Sequence, residues 1–97
     1  MRRIKLTVAY DGTDYCGWQI QPNGITVEEV LNKALSDLTK ETVKVIGASR
    51  TDAGVHARGN VAVFDTKSPI PPERIAYAVN ALLPDDIVVM RSEEVGC

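Results

Sequence analysis

Residues 3–10 read RIKLTVAY and alternate between large apolar side chains and polar or small ones. The large apolar series consists of Ile4, Leu6, Val8 and Tyr10. Because successive side chains of a strand point to opposite faces, this alternation predicts a strand that is buried on one face. The Asp11-Gly12 pair that follows is a strong turn signal, so we expect the strand to end there.

A helix is predicted after the long loop over residues 11–25. Its start is marked by Thr26-x-x-Glu29, a capping box in which two side chains satisfy the first free amides of a helix. Apolar residues then recur at helical spacing: Val27, Val30, Leu31, Ala34, Leu35 and Leu38. This single apolar stripe predicts an amphipathic helix directly behind the capping box.

Two further strands and a loop are predicted in the middle of the chain. Residues 42–46 form a short, mainly β-branched segment, which predicts a strand. Residues 47–59 show no periodicity and predict a loop. Residues 60–65, NVAVFD, are apolar on both faces, as expected of a central strand.

A pair of prolines opens the second predicted helix. Pro71 or Pro72 fits the first helical turn, where a proline costs no hydrogen bond, and Pro84 ends the helix. The apolar stripe of this helix comprises Ile75, Ala78, Val79 and Leu82. Residues 87–90 predict the final strand.

The predicted order of elements is β-α-β-β-α-β, which is the ferredoxin-like pattern. We therefore predict one α+β domain over residues 1–97, an antiparallel four-stranded sheet with two helices on one face. Many activities share this architecture, so the fold alone does not determine the function. The sequence stops soon after a strand and without a tail, so we expect it to be part of a longer protein.

The composition is that of an ordinary globular domain, with 44% hydrophobic and 25% charged residues. Two cysteines, Cys16 and Cys97, are too few for a disulfide framework, which predicts a cytoplasmic protein. No apolar run is long enough to cross a membrane. The net charge of −2 argues mildly against nucleic acid as a partner. The basic residues cluster in three places along the chain, so a basic surface on one side of the domain remains an alternative. The clusters are Arg2, Arg3 and Lys5; Lys40 and Lys44; and Arg50, His56 and Arg58.

The loop over residues 49–59, SRTDAGVHARG, concentrates chemically useful side chains. Arg50 lies two residues before Asp52, and a neighbouring guanidinium keeps a carboxylate ionised and oriented. An ionised aspartate serves as a nucleophile or a general base, and Gly54 allows a substrate to approach the backbone. The simpler interpretation is that Asp52 caps a turn and pairs with Arg50, with His56 as a partly buried polar residue. Asp52 and His56 are too few ligands to hold a metal ion, so no metal site is predicted.

Residues 47–57, GASRTDAGVHA, resemble the signature of the TruA family of tRNA pseudouridine synthases. Two other segments resemble the family in the same order. They are YDG at residues 10–12 with Tyr15, Gly17-Trp18-Gln19 and Gln21, and NALLP at residues 80–84 with Asp86-Ile87. The resemblance covers nearly the whole chain but corresponds to the N-terminal half of the family, so the family's C-terminal half is absent.

The resemblance implies that uridine in the anticodon arm of tRNA, at positions 38–40, is converted to pseudouridine without a metal or organic cofactor. Asp52 is then the catalytic residue, attacking C1′ of the ribose or C6 of the base, or assisting a glycal intermediate. Arg50 matches the family arginine that pairs with the aspartate and fills the space left by the flipped base. Thr51, His56 and Arg58 are the other candidate RNA contacts, and His56 fits a structural hydrogen bond equally well.

The supporting residues of this loop are Gly54 and, from the first loop, Tyr10, Asp11 and Trp18. Trp18 has two interpretations, because an aromatic face stacks on bases and a large aromatic side chain in a loop also packs into a core. We favour the core interpretation on burial tendencies. A turn-forming role is sufficient to explain Asp11.

Family members are homodimers, so the resemblance implies tRNA and a second copy of the protein as partners. The absent C-terminal half supplies a base-stacking tyrosine and a further basic residue, so we expect the 97-residue chain to be inactive alone. An exposed sheet edge in the chain is expected to pair with another copy. The alternative function is a non-catalytic RNA-binding module of the same fold. Against it, residues 60–65 offer Phe64 as their one aromatic residue and contain no RNP1 consensus.

Overall fold

The sheet has four strands in the order β2-β3-β1-β4, and every neighbouring pair is antiparallel. A computed structural model describes residues 1–20, 22, 24–47 and 56–96. The elements are β1 (Arg2–Tyr10), a 3₁₀ turn (Gly12–Asp14), α1 (Val27–Thr39), β2 (Ile46–Gly47), β3 (Ala57–Thr66), α2 (Pro72–Asn80) and β4 (Ile87–Val95). This arrangement confirms the predicted α+β, ferredoxin-like fold.

The alternation of β1 places its large apolar side chains in the core. Ile4, Leu6 and Val8 are completely buried, and Tyr10 is 5% exposed. Both helices contribute to the same cluster: Val27, Leu31, Ala34 and Leu35 from α1, and Ile75, Ala76 and Val79 from α2. Fully burying each valine, leucine or isoleucine side chain of this cluster contributes roughly 1.5–3 kcal/mol, so this shared core is the main source of stability.

The start of α1 follows the predicted cap. The Thr26 side chain accepts the Glu29 N–H at 3.3 Å, which satisfies one of the first free amides of the helix. The helix ends at Thr39, and Lys40 adopts a left-handed conformation with φ of 61°. Neither helix in the described part of the chain has the length and apolar character needed to span a bilayer.

The strand predicted over residues 42–46 is wrong in its bounds, because β2 covers Ile46–Gly47. The Val43 N–H donates to Ser36 Oγ at 2.8 Å, and the Val45 N–H donates to Asn32 Oδ1 at 2.8 Å. These acceptors lie on α1, so the segment is bound to a helix rather than to a neighbouring strand. A β-branched sequence cannot reveal which partner takes its amides.

The other strands are longer than predicted. β3 begins at Ala57, inside the predicted loop, because Ala57 pairs with Tyr10 across the sheet. β4 continues to Val95 along the pairing with β1. In α2 the prediction for Leu82 is wrong: the helix ends at Asn80 and Leu82 is half exposed, while Ala76 occupies the core.

Asn80 joins the end of α2 to β4. Its side-chain amide donates to Val89 O at 2.9 Å and accepts the Val89 N–H at 2.8 Å. Val89 lies opposite Val8 in the sheet. The Asn80 amide therefore bonds the N–H and C=O groups of Val89 that point away from β1. The edge strand is therefore already bonded at one position, which restricts pairing with a further strand there.

Trp18 fills the space between the first loop and β2. It is 1% exposed, and its ring lies 6.0 Å from the Tyr10 ring at an interplanar angle of 31°. A Cβ atom added at Gly47 would overlap Trp18 Nε1 and would lie 2.7 Å from Cε2. The indole therefore packs directly on the Gly47 backbone, and no larger residue fits there without movement.

Replacing Gly47 with alanine is expected to lower the free energy of unfolding by about 1–3 kcal/mol, because the new methyl group overlaps a rigid, buried indole. Gly59→Ala is the matched control, since its Cβ would meet Thr7 Cγ2 at an ordinary 3.6 Å. Urea unfolding of the two variants provides the comparison. Equal stability of both variants would contradict this packing.

Asn80→Ala is expected to lower the free energy of unfolding by about 1–3 kcal/mol, because it removes both hydrogen bonds to Val89. Tyr77→Ala on the same helix is the control: Tyr77 is 87% exposed, and its loss is expected to change stability by less than about 0.5 kcal/mol. Thermal or urea unfolding measures both. A larger loss in the Tyr77 variant would contradict the assigned contacts.

Candidate functional site

The segment predicted to carry the chemistry enters at the end of β2 and leaves at the start of β3. Four predicted site residues lie outside the residues that the structure describes: Arg50, Thr51, Asp52 and Gly54. The flanking positions Gly47 and His56 are both described. The geometry of the site is therefore given by these two ends and by the first loop, which both ends contact.

One end of the segment meets Trp18 and the other meets the turn after β1. Gly47 packs on the indole of Trp18, and His56 contacts the Asp11-Gly12 turn. Tyr10 links the two contacts, because it pairs with Ala57 in the sheet and its ring lies against Trp18. Three of the predicted supporting residues, Tyr10, Asp11 and Trp18, thus lie at the described residues that flank the segment.

Asp11 caps the 3₁₀ turn that follows β1. Its Oδ1 accepts the Thr13 hydroxyl at 2.6 Å and the Thr13 N–H at 3.0 Å. These bonds, the hydroxyl first, hold the pKa of Asp11 below its ordinary value, and His56 lowers this pKa further when its ring is protonated. The carboxylate is therefore ionised at neutral pH and fixed in direction by its own turn.

His56 reaches the same turn through one ring nitrogen. Its Nδ1 lies 3.0 Å from the Gly12 nitrogen, whose N–H donates to it, and 3.1 Å from Asp11 Oδ1. The His56 side chain is 63% exposed, so one part of the imidazole contacts the turn while much of the ring faces solvent. Arg58, two residues later on β3, is exposed.

Trp18 presents no accessible face for a base in this structure, since it is 1% exposed and lies between Tyr10 and Gly47. This geometry favours the core interpretation over base stacking. The signal was present in the sequence, because a large aromatic side chain in a long loop needs a cover. The residue that covers the indole is Gly47, and no feature of the sequence indicated this role.

The Tyr15–Asp86 contact is a feature of the site that the sequence did not indicate. The Tyr15 hydroxyl donates to Asp86 Oδ1 at 2.6 Å, and the Asp11 N–H donates to Asp86 O at 2.9 Å. Burial first, and then the bond to Asp86, raise the pKa of Tyr15 above its ordinary value. Asp86 thus anchors the first loop to the segment before β4, across 71 positions of sequence.

The N-terminal basic residues do not form a free cationic surface. Arg3 binds Asp65 at 2.9 Å, Lys5 lies 3.8 Å from Glu93, and Arg2 lies 3.9 Å from Glu94. These carboxylates neutralise the first of the three predicted basic groups. Of the other two predicted groups, Lys40, Lys44, His56 and Arg58 are exposed, and His56 and Arg58 lie at the described end of the candidate segment.

The chemistry available in the described part is that of hydrogen bonding and ion pairing. Over residues 1–20, 22, 24–47 and 56–96, no group of three or more His, Cys, Asp or Glu side chains is arranged to hold a metal ion. The arrangement instead supports a strand-flanked segment whose two ends are held against one loop. Such a scaffold positions a functional group while leaving it accessible.

Comparison with known proteins identifies the family. A sequence model described as tRNA pseudouridine synthase matches residues 6–97. A tRNA pseudouridine synthase A from Ruminiclostridium cellulolyticum is 62% identical over 95 residues, covering 98% of this chain and 39% of the relative. Proteins of the same name from Exiguobacterium sibiricum and Thermoanaerobacter sp. strain X514 are 57% and 55% identical, covering 99% and 98% of this chain. The chain spans 39% of the length of each of these relatives. This chain belongs to the tRNA pseudouridine synthase family.

Proposed function

We propose that this chain is the Asp52-bearing domain of an enzyme that isomerises uridine to pseudouridine in the anticodon stem-loop of tRNA. The observation that carries the proposal is the family match over residues 6–97, within which GASRTDAGVHA is intact. In this isomerisation the N1–C1′ bond breaks and a C5–C1′ bond forms. C5 loses a proton and N1 gains one, so the reaction needs no redox partner or group donor.

Asp52 is the proposed catalytic residue, because it carries the one carboxylate of residues 47–57. Its three possible roles are attack on C1′, attack on C6 and assistance to a glycal intermediate, and each of them uses the ionised form. Arg50 supports that form by charge and hydrogen bonding. The proposal therefore pairs Arg50 with Asp52 and leaves the order of bond changes open.

The remaining predicted contacts concern the RNA. A base in a stem or loop has to leave its stack to reach a carboxylate, and Arg50 is proposed to fill the space that it leaves. Thr51 and Arg58 are proposed to contact the RNA backbone, which positions the substrate without reading its sequence. The exposure of Arg58 at the start of β3 supports this role.

The alternative is an RNA-binding module without catalysis. Modules of this fold that bind RNA on the sheet stack bases on exposed aromatic side chains of the central strands. In the four described strands the aromatic residues are Tyr10 and Phe64, and they are 5% and 3% exposed. The sheet therefore lacks an aromatic platform, which favours the enzyme.

The proposed enzyme is longer than this chain, since the relatives are more than twice its length. We propose that the 97-residue chain is inactive alone and that the C-terminal half completes the RNA cleft. We also propose that the complete enzyme is a cytoplasmic homodimer with tRNA as substrate. The edge of β4 beyond Val89 remains the proposed place for pairing with a further strand.

The catalytic role is tested in a chimera that joins residues 1–97 to the remaining length of the R. cellulolyticum relative. We expect this chimera to release tritium from tRNA labelled at uridine C5, and Asp52→Asn to abolish release while tRNA binding is retained. Asp37→Asn, on the exposed face of α1, is the matched control. If the chimera does not fold, the same substitution at the aligned position of the relative replaces it. Undiminished release by the Asp52 variant would refute the role of this residue.

The 97-residue chain alone is expected to release no tritium under the conditions in which the chimera is active. The reason is that one wall of the proposed RNA cleft is missing. Adding the separately expressed C-terminal part of the relative is the companion measurement, and restored release would show that both parts share one site. Release by the isolated chain at the rate of the chimera would contradict the proposal.

A further inference from the structure

His56 is the first described residue after the segment that carries Asp52, and it follows Asp52 by four positions. Its Nδ1 atom contacts the turn after β1 at two points, the Gly12 nitrogen at 3.0 Å and Asp11 Oδ1 at 3.1 Å. A short chain segment is positioned by whatever fixes its ends. The contact therefore fixes the described end of the segment that carries Asp52.

The two neighbours of Nδ1 have opposite chemical requirements. In the neutral ring with a lone pair on Nδ1, this atom accepts the Gly12 N–H. In the protonated ring Nδ1 carries a hydrogen, which it donates to the Asp11 carboxylate. Each protonation state of His56 thus has a partner in the same turn, so the ring remains attached to the turn in both states.

The turn is itself fixed independently of His56. Thr13 holds the Asp11 carboxylate through two hydrogen bonds, and the Tyr15 N–H donates to Gly12 O at 3.0 Å. Asp86 holds the turn from the other side, through the Asp11 N–H and the Tyr15 hydroxyl. His56 is therefore bound to a prearranged surface rather than to a partner that depends on it.

We propose that His56, acting through Nδ1 on the Asp11-Gly12 turn, is a positioning residue for Asp52. This inference rests on the proposed function, and it assigns His56 a contact within the protein in place of a phosphate contact. The His56 and Asp11 side chains are 63% and 61% exposed, so their contact adds little to folding stability. Its effect lies in geometry, and a displacement of about 1 Å at a reacting group costs about 100-fold in rate.

Two substitutions at position 56 separate positioning from other roles. Asparagine carries its polar atoms near the place of the imidazole Nδ1, whereas glutamine carries them near Nε2. We expect His56→Gln to lower kcat of the chimera by about 10- to 100-fold with KM for tRNA changed less than about twofold. We expect His56→Asn to retain most of kcat, and the urea midpoints of both variants to match that of the parent. Asp37→Asn serves again as the surface control.

A raised KM with unchanged kcat in His56→Gln would overturn the proposal in favour of a phosphate contact. Full activity of His56→Gln would overturn it as well, and so would equal losses in both variants. The contact has a second readout that needs no catalysis. In the 97-residue chain, hydrogen exchange at the Gly12 amide is expected to quicken in His56→Gln and to remain slow in His56→Asn.

The amide measurement distinguishes failure of this inference from failure of the proposed function. If the chimera shows no tritium release while Gly12 exchange responds as expected, the contact stands and the enzyme assignment fails. If release is normal and Gly12 exchange is the same in all variants, the enzyme assignment stands and the positioning role of His56 is refuted.

Discussion

The packing of Trp18 on the Gly47 backbone is the constraint on which the candidate site depends. A buried indole contributes a large apolar area, and here it joins the first loop to the last residue of β2. The absence of a side chain at Gly47 is what allows this approach. Because β2 has two residues in the described chain, the indole supplies packing that the short strand cannot provide by its own pairing.

The first loop acts on the other end of the segment through polar contacts. Asp11, Gly12 and His56 meet at the turn after β1, and Asp86 holds this turn in place. Apolar packing at the Gly47 end therefore contributes stability, while hydrogen bonding at the His56 end fixes the orientation of the side chains there. The division follows from exposure, since Trp18 is 1% exposed and the His56 side chain is 63% exposed.

Local patterns in the sequence predicted the fold well and predicted the connections between elements poorly. The alternation in β1 and the cap at Thr26 depend on neighbouring residues, so both were readable. The bounds of β2 depend on whether the amides of Val43 and Val45 meet a strand or α1, and a linear sequence does not contain this choice. The exposure of Leu82 has the same origin, because α2 ends at Asn80 and the side chain of Asn80 binds β4, a long-range contact that the apolar spacing does not show.

The site also contains residues that a local pattern predicts and contacts that no local pattern predicts. Residues 49–59 were recognisable because their functional groups are concentrated in one stretch, and the family match supports that segment. The bond between Tyr15 and Asp86 joins positions 71 residues apart, so no local pattern could reveal it. No local pattern could reveal the role of Gly47 either, because that role is to leave space for the indole of Trp18.

Trp18 is the one tryptophan of the chain, so its fluorescence reports the central contact without interference. The most direct test is acrylamide quenching of the 97-residue chain, compared with free N-acetyltryptophanamide. If the Trp18 ring is buried between Tyr10 and Gly47, its emission is expected to be blue-shifted and its quenching far weaker than that of the free compound. Emission and quenching equal to those of the free compound would show that the indole is exposed, and would contradict the view that Trp18 holds the segment that carries Asp52.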